Sequence, residues 1–264
     1  LAAQVDGQGA VLGLGPALCE RLAPGRLPAL QPYTAPTGSR VALPASQADL
    51  WLWLRGDGDA GALLHQARAA QAALAPALVT VEQLTAFRHR AGHDLTGYED
   101  GTENPVGEDA LAAACVAEVD ASADAAPAGS SFVAVQRWQH DFGAFEALGE
   151  AAQDQAIGRR RSDNEELDDA PDSAHVRRTA QEDFAPEAFL LRRSMPWIEA
   201  DRAGLHFVAF GASLAPFQAQ LRRMSGAEDG IVDALFRFSR PLGGAYYWCP
   251  PLAGGRPDLS LLGL

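Results

Sequence analysis

The sequence predicts an α+β protein made of two tandem ferredoxin-like units, residues 1–125 and 126–264. One observation behind this is the period-two pattern Asp49-Leu50-Trp51-Leu52-Trp53-Leu54-Arg55, followed by an Ala/Leu-rich stretch with Ala60, Leu63, Leu64 and Ala67 at helical spacing. A second is recurrence: strand 49–55, helix 58–74 and strand 79–90 correspond to strand 204–211, helix 214–224 and strand 245–249. The repeat lies in the order of elements, not in residue identity. A third is that the second half reads β-α-β-β-α-β, the split βαβ order of a ferredoxin-like unit.

In chain order, the apolar run Ala10–Leu14 predicts a short strand, and 49–55 a half-buried one. The helix over Gly58–Leu74 follows, then a further strand within Val79–Arg90. The segment Asp120–Ser130, rich in Ala, Asp, Gly and Ser, reads as a linker or exposed loop. Beyond it come a strand at Ser131–Trp138, helical segments from Phe142 to about Ile157, and strands at Phe189–Arg193 and Gly204–Gly211. A helix over Leu214–Met224 and a strand at Ala245–Cys249 complete the set. The first half lacks the opening strand and helix of its unit, and the sequence starts at Leu1 rather than Met. The expectation is therefore that the natural protein extends upstream by roughly 30 residues or more, since a sheet edge left unpaired is generally avoided.

Composition narrows the function. With 264 residues and 47% hydrophobic content, the chain can bury a sizeable core. The net charge of −13 argues against nucleic acid as a partner. The run Arg159-Arg160-Arg161 is answered by Glu165-Glu166-Leu167-Asp168-Asp169 and reads mostly as a solvated loop. No apolar run approaches the length that crosses a bilayer. Cys19, Cys115 and Cys249 are scattered without CxxC spacing, which excludes a zinc ribbon, an iron–sulfur cluster held by this chain alone and a disulfide framework. Three such thiols fit a reducing cytoplasm. Nothing reads as a secretory signal, an absence of little weight in a chain beginning at Leu1.

The most informative stretch is Gly97-Tyr98-Glu99-Asp100-Gly101-Thr102-Glu103-Asn104-Pro105, where Gly97 and Gly101 permit a tight turn that fixes the Asp100 carboxylate. Alone it is a turn. Downstream stand Arg137-Trp138-Gln139-His140-Asp141, Ile157-Gly158-Arg159, Ser173-Ala174-His175-Val176, Leu191-Arg192-Arg193-Ser194-Met195-Pro196 and Gly204-Leu205-His206-Phe207-Val208-Ala209-Phe210. In that order and at those separations the chain resembles the dye-decolorising peroxidases, most closely the bacterial intracellular type B branch. The resemblance covers nearly the whole sequence. It implies the dimeric α+β barrel arrangement, with antiparallel sheets facing each other and helices outside.

The resemblance also implies haem b as cofactor, with hydrogen peroxide and an organic reductant (a phenol, dye or porphyrin-type compound) as substrates, reacting through a ferryl intermediate. A porphyrinogen- or haem-processing protein, and a haem-binding protein with little turnover, are the competing readings. Among the six histidines, His65 lies on the amphipathic helix, His89 and His93 in an Arg-rich strand end, and His206 in an apolar strand; His140 fits a structural role. His175 matches the family's iron-ligand motif. Asp233 matches the carboxylate that accepts the ligand's second N–H, although it reads equally as a helix-surface acid. Asp100 and Arg192 match the pair that handles peroxide on the opposite side of the haem, one as acid–base group and one as fixed charge.

Arg193 competes with Arg192, but strand alternation points it to the other face. Ser194 could bond a water there or simply lie in the strand. Gly101, Thr102 and Arg159 are further cofactor-contact positions by the same resemblance. Trp138, Trp197, Tyr246, Tyr247 and Trp248 could relay oxidising equivalents, with core packing the plainer reading. A cytoplasmic homo-oligomer, acting away from membranes and able to be packaged in a protein compartment, completes what the resemblance implies. An acidic optimum follows from an aspartate that must accept and return a proton.

Overall fold

A computed structural model describes residues 5–56, 58–118 and 126–264. In chain order the elements are β1 (Ala10–Leu14), α1 (Pro16–Leu22), β2 (Leu50–Leu54), α2 (Ala60–Leu74), α3 (Gly107–Ala114), β3 (Ser131–His140), α4 (Phe142–Leu148) and α5 (Glu150–Ile157). They continue with α6 (His175–Thr179), β4 (Leu191–Arg192), β5 (Met195–Glu199), β6 (Arg202–Gly211), α7 (Ala215–Met224), β7 (Ser239–Cys249), β8 (Leu252–Ala253) and β9 (Arg256–Pro257). Short 3₁₀ turns occupy Gln181–Asp183, Ala234–Arg237 and Ser260–Leu262. Among the described residues, no helix is long and apolar enough to cross a membrane.

The α+β expectation holds. Seven strands form an antiparallel sheet in the order β2-β1-β7-β3-β6-β4, with β5 also on β6. The strands of the second half lie as β7-β3-β6-β4, with the first strand between the fourth and third, as a split βαβ unit requires. The two halves join where Leu14 of β1 pairs with Trp248 of β7. Alternation gives this sheet two apolar faces. Val133, Val208, Ala245 and Tyr247 share one cluster, while Phe132, Ala134, Ala209, Tyr246 and Trp248 share another with Leu12, Leu190, Phe217 and Leu221. Beyond the sheet, Tyr98, Phe145, Ala156, Ile157, Ala234 and Phe238 form a third cluster.

Local chemistry sets the helix limits. Asp59 caps α2 by accepting the Ala62 N–H, and Asp141 caps α4 by accepting that of Ala144. Gly149, at φ +75°, divides the predicted helical stretch into α4 and α5. On α2 the covered stripe runs through Leu63, Ala67, Ala70 and Leu74, leaving Ala60 and Leu64 exposed, one step round from the expected face.

Two expectations need correction, and one lies mostly beyond the described residues. The strand expected within Val79–Arg90 is absent: Val79 and Val81 are 83% and 77% exposed, and only Ala86 bridges, to Trp197. Their β-branched side chains find no sheet face to pack on, and strand propensity alone does not hold a strand. The strand expected at Phe189–Arg193 contracts to Leu191–Arg192, while β5 forms unforeseen around Pro196. Proline is tolerated there because β5 has a full strand, β6, on one side only; on the other, the 86–87 segment uses the Pro196 carbonyl and needs no N–H from it. Most of the expected Asp120–Ser130 linker, with the boundary between the halves, lies outside the described residues.

Candidate active site

His175 is the first residue of α6, and its ring is anchored from behind. Its Nδ1–H donates to Asp233 Oδ2 at 2.7 Å, and the Asp233 side chain is fully buried. Asp233 is held in turn: its Oδ1 accepts the Leu235 N–H at 2.8 Å, capping the 234–237 turn, and its own N–H donates to the Met224 carbonyl at 2.9 Å. The Ala234 N–H reaches the Ser173 carbonyl at 2.7 Å, which ties the approach to His175 to the exit from Asp233. Fixing one imidazole nitrogen this way sets the tautomer, so Nε2 carries the lone pair. Among the described residues Nε2 has no hydrogen-bond partner. The sequence left Asp233 open between surface acid and acceptor; the structure makes it the acceptor.

Gly158 lets the end of α5 approach this helix. It caps α5 at φ +92°, and a Cβ there would stand 2.3 Å from Val176 Cγ2 and 3.2 Å from Ala174 Cβ. The next residue, Arg159, donates to Glu103 at 2.6 Å, to Glu166 at 3.2 Å and to the Asn164 carbonyl at 3.0 Å, so its guanidinium faces protein carboxylates.

Asp100 closes a hairpin in which its N–H donates to the Gly92 carbonyl and the Asp94 N–H to that of Tyr98, both at 2.9 Å. Gly101 follows at φ +81°, and a side chain there would collide with the Asn104 amide. That amide grips Arg192. The Arg192 N–H donates to Asn104 Oδ1 at 2.8 Å, and Asn104 Nδ2 donates to the Arg192 carbonyl at 3.1 Å. Gln181, just beyond α6, donates to the Glu103 carbonyl and accepts the Leu190 N–H, at 2.8 and 2.9 Å. Sequence reasoning read Asn104 only as part of the turn and assigned no role to Gln181. Thr102 is exposed and accepts from Asn164 at 3.0 Å.

Arg192 pairs with Ala209 across β4 and β6 and is partly buried, whereas Arg193 is exposed and rests its guanidinium on the Arg192 carbonyl. Arg192 Nε and Ser194 Oγ are buried without a protein partner among the described residues. Buried donors left this way cost free energy unless a ligand or water meets them. An imidazole with a free Nε2 and two unanswered donors on β4 and the residue after Arg193 fit a bound prosthetic group. The five aromatic residues Trp138, Trp197, Tyr246, Tyr247 and Trp248 are all buried in the core. His206, on β6, has its Nδ1 shut from solvent; burial, assisted by the Arg137 charge, pushes it down to about 4.

Comparison with known proteins places this arrangement. The model of the C-terminal domain of Dyp-type peroxidases matches residues 91–254, from just before the Asp100 hairpin to beyond β7. A dye-decolorizing peroxidase of Mycobacterium tuberculosis is 30% identical over 249 residues, covering 92% of this chain and 73% of that protein. One from Rhodococcus erythropolis is 31% identical over 251 residues, covering 92% and 72%. Among solved structures, a dye-decolorizing protein from V. cholerae superposes with a TM-score of 0.80 at 27% identity, over 96% of this chain and 81% of that one. A variant of DypB from Rhodococcus jostii, solved in complex with heme, gives 0.83 at 28%, over 97% and 81%. Fold and relatives together define an oxidoreductase of the peroxidase class. The chain belongs to the Dyp-type peroxidase family.

Proposed function

We propose that this protein binds haem b through His175 Nε2 and uses it to reduce hydrogen peroxide at the expense of a phenolic, dye or porphyrin-type reductant. The observation that carries the reading is the His175–Asp233 pair: an imidazole backed by a wholly buried carboxylate, with its outer nitrogen free. The bound iron would supply the redox centre that takes oxidising equivalents from peroxide and passes them to the reductant.

The chain's own residues do the rest. Asp233 keeps the Nδ1 proton engaged, so the ring presents an electron-rich Nε2 in one orientation. Asp100 takes the proton from the oxygen of peroxide that attacks and returns it to the oxygen that leaves. Arg192 holds a permanent positive charge where negative charge develops as the O–O bond lengthens. Ser194 Oγ, buried and without a partner among the described residues, is available to a water or peroxide oxygen beside Arg192. Gly101 gives the Asp100 turn its shape, and Thr102 and Arg159, held by Asn164 and Glu103, are further cofactor-side residues in this reading. The type B branch and a cytoplasmic location belong to the same reading, the latter supported by three free cysteines.

A Soret band together with peroxide-driven oxidation of an anthraquinone dye tests this. Both are expected. A Soret band without dye oxidation would leave a haem-binding protein and overturn the peroxidase assignment.

A further inference from the structure

Apart from the residues placed in the proposed reaction lies a largely buried hydrogen-bonded chain, Asp94–His140–Ser239. His140 Nε2–H donates to Asp94 Oδ2 at 3.0 Å, and His140 Nδ1 meets Ser239 Oγ at 2.8 Å. With the Nε2 proton committed to the carboxylate, Nδ1 is the acceptor and the Ser239 hydroxyl the donor. The other Asp94 oxygen accepts from Thr96 twice, from the N–H at 2.8 Å and from the hydroxyl. Burial alone would raise the Asp94 carboxyl, but the hydrogen bonds from His140 and Thr96 hold it below the usual carboxylate range.

The residue types are those of a nucleophilic triad, yet Ser239 is 3% exposed, so no substrate reaches its hydroxyl. What the chain joins points elsewhere. Asp94 sits on one arm of the hairpin whose other arm ends in Asp100, with the Asp94–Tyr98 and Gly92–Asp100 backbone bonds between. His140 ends β3 and Ser239 begins β7, where the two pair in register. Ser239 also follows the turn that Asp233 caps, with Phe238 accepting the Asp141 N–H at 2.7 Å. The segment 233–239 therefore carries the carboxylate behind His175 at one end and the anchor of the Asp100 hairpin at the other.

We propose that Asp94, acting through His140 and Ser239, is a positioning residue that seats the Asp100 hairpin on the joined ends of β3 and β7. This rests on the reading of Asp100 as the acid–base group. A hairpin freed at Asp94 keeps its internal ladder but loses its register against the sheet. A misplacement of about an ångström at a proton-transferring group costs roughly tenfold to a hundredfold in rate.

The test uses the haem-loaded protein with Asp94→Ala, Asp94→Asn and, as control, Asp100→Asn. Hydrogen–deuterium exchange of the 92–104 segment is read beside kcat/KM for peroxide and KM for the dye. Asp94→Ala is expected to speed exchange in that segment and lower kcat/KM for peroxide about tenfold or more, with the dye KM unchanged. Asp94→Asn, which can keep both contacts if His140 switches tautomer, is expected to restore both. Asp100→Asn is expected to lower the peroxide rate without changing exchange. Unchanged exchange in Asp94→Ala, or faster exchange with a wild-type peroxide rate while Asp100→Asn is slow, overturns the proposal. A wild-type rate in Asp100→Asn instead overturns the reading of Asp100, and exchange alone then decides the anchoring. If Asp94→Ala does not fold, Ser239→Ala takes its place: faster exchange supports the anchor, and unchanged exchange overturns it.

Discussion

Asn104 brackets Arg192 by its peptide, accepting the arginine N–H at 2.8 Å and donating to its carbonyl at 3.1 Å. One side-chain amide thus fixes the turn after Asp100 to the strand that presents the guanidinium. Removing it in Asn104→Ala leaves the Arg192 N–H of β4 unpaired and its carbonyl with the Arg193 guanidinium alone. The expected cost is about 1–3 kcal/mol of stability, read by chemical denaturation, with a slower reaction with peroxide in the folded variant. Asn104→Asp keeps the acceptor but sets a carboxylate against the Arg192 carbonyl, and is expected to be at least as damaging.

Arg192 and Asp100 are expected to contribute unequally. Arg192→Leu removes a fixed charge and is expected to slow the reaction with peroxide roughly a hundredfold or more, a transition-state loss of about 3 kcal/mol. Asp100→Asn is expected to cost less, since water can carry part of the proton traffic. Stopped-flow mixing with peroxide measures both; wild-type rates in both variants are incompatible with the assignment.

Gly158 is required by space and by backbone. At φ +92°, with Val176 Cγ2 2.3 Å from any added Cβ, Gly158→Ala is both strained and overpacked. A loss of about 3 kcal/mol is expected in denaturation experiments. Because Val176 adjoins His175, the variant is also expected to retain less haem when purified.

The pattern of legibility follows from chain separation. The Asp100 turn, His175 and Arg192 stood out as candidates because each sits in a short motif of its own. Asp233 stayed ambiguous because its partner lies 58 residues away, and only the fold buries it. Asn104 was in plain view inside the Asp100 motif, yet its partner is 88 residues downstream, so it read as a turn residue. Gln181 had no motif at all. Among the elements, β1, β2 and the core of β3, β6 and β7 were legible from apolar runs, because buried strands carry their own pattern. β5 was hidden by Pro196, and the false strand at Val79–Arg90 arose because β-branched residues were read without knowing whether a sheet face awaited them.

Acid is expected to weaken the fold through His206. Its folded-state pKa is depressed to about 4, mainly by burial, so the unfolded chain binds a proton at higher pH than the folded one. The contribution is whole above about pH 6.5 and falls by at most about 1.4 kcal/mol per unit as the pH drops towards 4. Urea denaturation at pH 7 and pH 5 is expected to differ by about 2 kcal/mol in the wild type, with a flatter profile in His206→Leu. Equal slopes in the two proteins would remove His206 from the account.

The central claim is that His175 holds the haem, and the absorption spectrum of purified His175→Ala tests it most directly. The account predicts that the variant folds but loses its haem, or keeps a small fraction with an altered Soret band. Full haem content with the wild-type spectrum would contradict it.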